Sequence, residues 1–130
     1  MATTTAQIKL TSSDLSSDAI AIDVTTTLKN SDGTTGITDT SGFAVKKFTG
    51  TGAVTVHDAA DFEDNKSTKF FVHNKATDSS HYITITLGAV VLGRVYAGDW
   101  VLVPYAGLVD IKLTASTAGI ICEHAVLGNA

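Results

Sequence analysis

Val91–Gly107 reads VLGRVYAGDWVLVPYAG. It is the most apolar part of the chain, yet it carries the only arginine (Arg94), the only tryptophan (Trp100) and the only proline (Pro104). It resolves into two strands, AVVLGRVYA and DWVLVPY, with Ala97–Gly98–Asp99 turning between them. Pro104 has no N–H to give to a ladder and should end the second strand. In WVLVP both faces are apolar, which predicts a strand covered on both sides, by a second sheet or by another subunit.

The same pattern extends outward. No window places apolar residues at i, i+3, i+4 and i+7 over three turns, whereas alternation with a period of two is common. In AIAIDVTTTLK, Ile20, Ile22, Val24, Thr26 and Leu28 fall on one face and Asp23, Thr25, Thr27 and Lys29 on the other. That spacing predicts a long strand with one buried side. Asp32–Gly33 is a turn signal, since both residue types tolerate positive φ. A short segment around Ile37, the strand FAVKKFT and, beyond Gly50–Gly52, the strand AVTVHD follow. DAADFEDNKST is the best candidate for a helical turn, with Asp58 as its cap and Asp61 in its first turn. KFFVHNK and HYITITL flank ATDSS and read as a hairpin, Phe70 and Val72 packing beside Ile83, Ile85 and Leu87. LVDIKLTAS and GIICEHAVL, joined at TAG, close the chain. Short strands with turn signals at close spacing predict an all-β protein: an antiparallel β-sandwich, jelly-roll-like, with at most one short helix.

Composition narrows the function classes. The 130 residues predict a single domain, 1–130, with residues 1–5 (MATTT) as an extended N-terminal arm. Hydrophobic residues make up 44% and charged residues 17%, below the usual charged share of about 25%. Such a surface suggests coverage by neighbours. The net charge is −4 with a single arginine, so no basic stripe is present to neutralise phosphates, and neither nucleic acid nor an anionic membrane is an expected partner. MATTTAQIKL lacks the basic start and apolar run of a signal peptide, and synthesis in a cytoplasm is expected. Cys122 is the sole cysteine, which excludes an intramolecular disulfide and a CxxC zinc framework.

The chemistry-bearing residues form no catalytic signature. Cys122 and His124 share a strand face, but two residues along a strand is about 6.5 Å, beyond hydrogen-bond length, and the segment reads equally as core with cysteine acting as a small hydrophobe. His73 and His81 bracket the proposed hairpin, where they would face each other; a metal held by such a pair at a subunit contact is left open. Asp58, Asp61, Glu63 and Asp64 gather in one loop without EF-hand spacing. No enzyme activity, cofactor or metal is therefore expected. Tyr82, Tyr96, Trp100 and Tyr105 either finish a core or anchor an interface, where Trp, Tyr and Arg are enriched. Arg94, in an apolar strand, needs a carboxylate or an exit to solvent, and Asp99 and Asp110 are the expected partners. The candidate interface is Arg94, Tyr96, Trp100, Val101, Val103 and Tyr105.

The segments KFFVHNKATDSSHYITI, VLGRVYAGDWVLVPYAG and IKLTASTAGIICEHAVL, with the opening IKLTSSDLSSDAIAIDVTTTL, resemble small virion structural proteins of tailed phages, especially those of marine and cyanobacterial viruses. The shared elements are a strand ending in Asn before a Thr/Ser loop, a Y-I-T-I strand, an L-x-A-G-D-W/F turn-strand and a last strand after a T-x-A-G turn. The resemblance implies a head decoration, or cement, protein: a homotrimer bound to the major capsid protein on the outer surface of the capsid. Similar modules in tail fibres imply the alternative, a virion module that recognises host glycan, with Tyr82, Trp100 and Tyr105 as sugar platforms.

Overall fold

The computed structural model describes residues 3–15 and 17–128; Met1 and Ala2 of the expected arm lie outside them. Ten strands follow in order: β1 (Thr5–Ser12), β2 (Ile20–Thr27), β3 (Ala44–Lys47), β4 (Val54–His57), β5 (Ser67–Asn74), β6 (Tyr82–Leu87), β7 (Val90–Tyr96), β8 (Trp100–Pro104), β9 (Ile111–Ala115) and β10 (Ile121–Gly128). One short 3-10 turn, Ala59–Asp61, is capped as the sequence predicts: the Asp58 carboxylate accepts the Ala60 N–H at 2.9 Å.

Eight of the strands make a sandwich. Sheet I runs β3-β10-β5-β8 and sheet II runs β4-β9-β6-β7, with every pairing antiparallel. This is the strand order of a jelly roll. The chain changes sheets at almost every connection. Within the sandwich, only β6 and β7 are consecutive strands paired in one sheet, joined by a two-residue loop in which Gly88 takes φ +62°, as tight hairpin turns require. The Ala97–Gly98–Asp99 turn instead carries the chain from sheet II to sheet I.

The expected hairpin of KFFVHNK and HYITITL is corrected here. β5 and β6 lie in opposite sheets. Phe70 and Val72 do meet Ile83 and Ile85, but through the thickness of the core rather than side by side. Alternation decides which residues go inward: Phe70, Ile83, Ile85, Ile111, Leu113 and Val126 are all fully buried. Each contributes about 1.5–3 kcal/mol by leaving water.

At one end of the sandwich a single polar side chain joins the two layers. Asn74 ends β5 and is fully buried. Its Nδ2 donates to the Val95 carbonyl of β7, 2.9 Å away, and its Oδ1 accepts the Ala76 N–H at 2.9 Å. Its backbone N–H donates to the Asp99 carbonyl and its carbonyl accepts from Gly98, so the crossing turn is fastened to the same residue. Gly98 sits at φ +78°, a conformation natural to glycine.

β1 and β2 stand apart from the sandwich as their own two-stranded sheet. The sequence predicts a strand with one buried side at Ile20–Leu28. Instead Ile22 and Val24 are exposed, and only Leu28, beyond the end of β2, is buried. The alternation is real, but the layer that would cover it is not supplied by the described residues.

Replacing Asn74 by leucine leaves the Val95 carbonyl and the Ala76 N–H without partners. It should cost about 1–3 kcal/mol, read as a lower denaturant midpoint. An unchanged midpoint would show that Asn74 does not hold the layers together.

Candidate docking surface

The two outer faces of the sandwich differ in character. On sheet I, outward positions align in rows across the strands: Val45, Glu123, His73 and Trp100 in one, Ala125, Phe71 and Leu102 in the next. Phe43, just before β3, places its ring 6.0 Å from that of Phe71. Leu28 and Ile37 cover one end of this face, packing on Leu127, with Ala6 and Leu102 at their margin. The remainder is open, with Phe43, Val45, Trp100 and Ile121 exposed. The only ion pair on it joins Lys75 to Glu123 at 3.1 Å among the described residues.

The β1–β2 ribbon adds a second apolar face. Ile8 stands directly opposite Val24, and Leu10 opposite Ile22. All four are exposed, Val24 by 57%. A third apolar feature is a cleft of about 230 Å³ where β7 and β8, the edge strands of the two sheets, part. Ile85, Leu92, Val95, Trp100, Val101 and Val103 line it.

The six interface candidates are not brought to one surface. Val101 and Val103 turn inward against the core. Tyr105 is only 6% exposed, and its hydroxyl donates to the Val109 carbonyl at 2.6 Å. It is therefore a core residue, and Tyr82, Trp100 and Tyr105 share no face as sugar platforms. Trp100 is 50% exposed at the edge of sheet I, whereas Arg94 and Tyr96 are exposed on β7 of sheet II. Of the two apolar faces of WVLVP, Val101 and Val103 pack on the core, while on the outer face Leu102 is partly covered beside Leu28 and Ile37 and Trp100 is exposed.

Arg94 takes neither expected carboxylate. Its guanidinium lies 4.2 Å from the centre of the Tyr82 ring, and its Nη1 donates to the Tyr96 hydroxyl at a long 3.5 Å. Asp99 instead accepts the Trp100 N–H and Asp110 the Ala59 N–H, each at 2.8 Å. Both carboxylates are used to shape turns.

The histidines also pair differently from the sequence expectation. His73 lies on the outer face of sheet I between Glu123 and Trp100, and His81 contacts Asp78 at 3.5 Å; the two do not face each other. The close pair is His57 and His124, with Nε2 and Nδ1 2.9 Å apart. It ties β4 of sheet II to β10 of sheet I, 67 residues distant in sequence, so no local motif marks it. The only sequence signal is phase: His124 alternates inward with Cys122 and Val126, and an inward histidine needs a partner. Burial, then the neighbouring His124, lower the His57 pKa to about 4. Burial and Lys46 lower that of His124. Burial pushes the Cys122 thiol up to about 11, so it stays protonated at neutral pH and packs as a small hydrophobe. Among the described residues no three His, Cys, Asp or Glu side chains converge as a metal site.

No protein-family model matches the chain. No curated protein and no solved structure matches it either.

The histidine pair gives a signed pH dependence. An imidazole whose folded pKa lies below the unfolded value of 6.5 contributes stability above pH 6.5 that is lost as pH falls towards about 4. The thermal midpoint should therefore drop across that window. The His57→Gln/His124→Gln double variant, which retains a side-chain hydrogen bond without titrating, should show a flatter profile. Parallel profiles for the two proteins would refute the assignment.

Proposed function

We propose that this chain is a capsid decoration, or cement, protein of a tailed phage, acting as a homotrimer bound to the major capsid protein on the outer surface of the head. The observation that carries the reading is the uncovered apolar face of the β1–β2 ribbon, Ile8, Leu10, Ile22 and Val24. A two-stranded ribbon alone is marginal in water and needs a third strand or a packed layer. Exposed apolar patches of this kind mark interaction sites. The open part of sheet I, with Phe43, Val45 and Trp100, is a further exposed apolar surface. The phage-like turn-and-strand segments of the sequence support the same reading.

A cement protein works through contact alone. Each copy bridges neighbouring subunits of a shell, and the buried area resists their separation under internal pressure. Repetition over a lattice, and three linked copies per trimer, give avidity that a single ribbon lacks. The sandwich serves as the rigid body and the ribbon as the reaching element.

Mixing the protein with undecorated capsids tests the reading. Co-sedimentation with the capsids and a rise in their disruption temperature are expected, as is a free-protein mass near three times 13.5 kDa. The Ile8→Asp/Val24→Asp variant should fold normally, because both positions are exposed, yet lose capsid binding. Trp100→Ala should weaken capsid binding while costing the isolated chain less than the ~3–5 kcal/mol of a buried aromatic truncation, since the indole is half exposed. Wild-type protein that ignores the capsids would end the head assignment, and a monomer at micromolar concentration would end the trimer.

A further inference from the structure

The face of sheet II is the opposite of the face of sheet I. Its outward positions include Tyr82, Thr84 and Arg94, and beside them Tyr96, Thr114 and Lys112. Register fixes their places: Tyr82 opposite Tyr96, Thr84 opposite both Arg94 and Thr114, and Lys112 opposite Thr86. The four strands of this sheet contain no aspartate or glutamate, although the chain has 13 acidic residues and a net charge of −4. Two cations, Arg94 and Lys112, therefore stand on strands that carry no carboxylate, on an otherwise acidic molecule, with Asp99 of the following turn lining the same cleft as Arg94.

Arg94 is held ready rather than neutralised. The Tyr82 ring supports its guanidinium at 4.2 Å, and one N–H reaches the Tyr96 hydroxyl. Of its five donors, the rest have no acceptor within hydrogen-bond distance among the described residues. The two tyrosine rings stand 5.6 Å apart at 54° and form a shallow aromatic seat around it. Tyr96 is 45% exposed.

We propose that this seat binds an acidic carbohydrate, a saccharide carrying a uronate-type carboxylate. The guanidinium fork matches a carboxylate in bidentate geometry. The exposed Tyr96 ring can pack against the C–H face of a sugar, and the hydroxyls of Thr84 and Thr114 complement its hydroxyl groups. A peptide fits the face less well. The register shift in the β6–β7 pair leaves Leu92 as an extra residue between Val91 and Gly93, and such a bulge turns an edge away from strand addition. The site lies on the sheet opposite the proposed docking surface and does not depend on the capsid reading.

The test titrates the full chain with a tetragalacturonate, with a sialic acid oligomer and with maltotetraose as a neutral control, followed by calorimetry and by amide shifts on β6 and β7. At least one acidic saccharide should bind roughly tenfold or more tightly than the neutral one, with shifts centred on Tyr82, Arg94 and Tyr96. Arg94→Gln should weaken that binding by a similar factor, and Arg94→Lys by less but measurably, since it keeps the charge and loses the fork. Arg94 and Tyr96 are exposed, so an unchanged thermal midpoint verifies that the variants fold. Equal binding of acidic and neutral sugars, no binding of either acid, or full affinity in Arg94→Gln would overturn the proposal. So would an Arg94→Gln variant that loses self-association but no saccharide affinity, which would assign the face to an acidic protein surface.

Discussion

Asn74 fixes the distance between the two layers at the end where the chain crosses most often. Its side chain spans from β5 in sheet I to the Val95 carbonyl in sheet II, while its backbone pairs with Gly98 and Asp99. Three segments that alternation alone would leave unrelated thus meet at one buried amide. A hydrogen bond in this dry setting has no water to substitute for it, so its loss leaves polar atoms stranded. The His57–His124 contact also joins the sheets, through β4 and β10, farther along the same core. Between these ties lies an apolar interior that specifies depth but says little about register.

With the layers fixed, the outer faces are free to diverge. Sheet I turns phenylalanine, valine and tryptophan outward; sheet II turns threonine, tyrosine and arginine outward. Both faces rest on the same core, so the difference does not arise from stability within the chain.

Much of the architecture was legible from residue spacing. Ile83 and Ile85 alternating with Thr84 and Thr86, Pro104 closing a strand, Gly98 turning one and Asp58 capping the short helical turn all act through local chemistry. What failed was partnership. β5 and β6 carry hairpin-like patterns, but alternation records only which side is apolar, not whether the complementary side belongs to a neighbour in the sheet or to the layer opposite. Arg94 was correctly marked as unusual, yet the choice of Tyr82 over Asp99 depends on cross-strand register and on the turn that engages Asp99. His57 and His124 are invisible as a pair for the same reason. The exposed side of β2 shows the limit from another direction, because its pattern predicts a cover without saying whose.

The ribbon has one more consequence. β1 and β2 are rich in threonine and branched aliphatics and present two unpaired rims. Their opposed charges, Lys9 and Asp23, stand directly across from each other, while Asp23 also accepts from Gln7 at 2.7 Å. Lone charges normally repel an approaching strand; here they cancel internally and leave little deterrent. The two rims of the ribbon are thus open to pairing with a further strand.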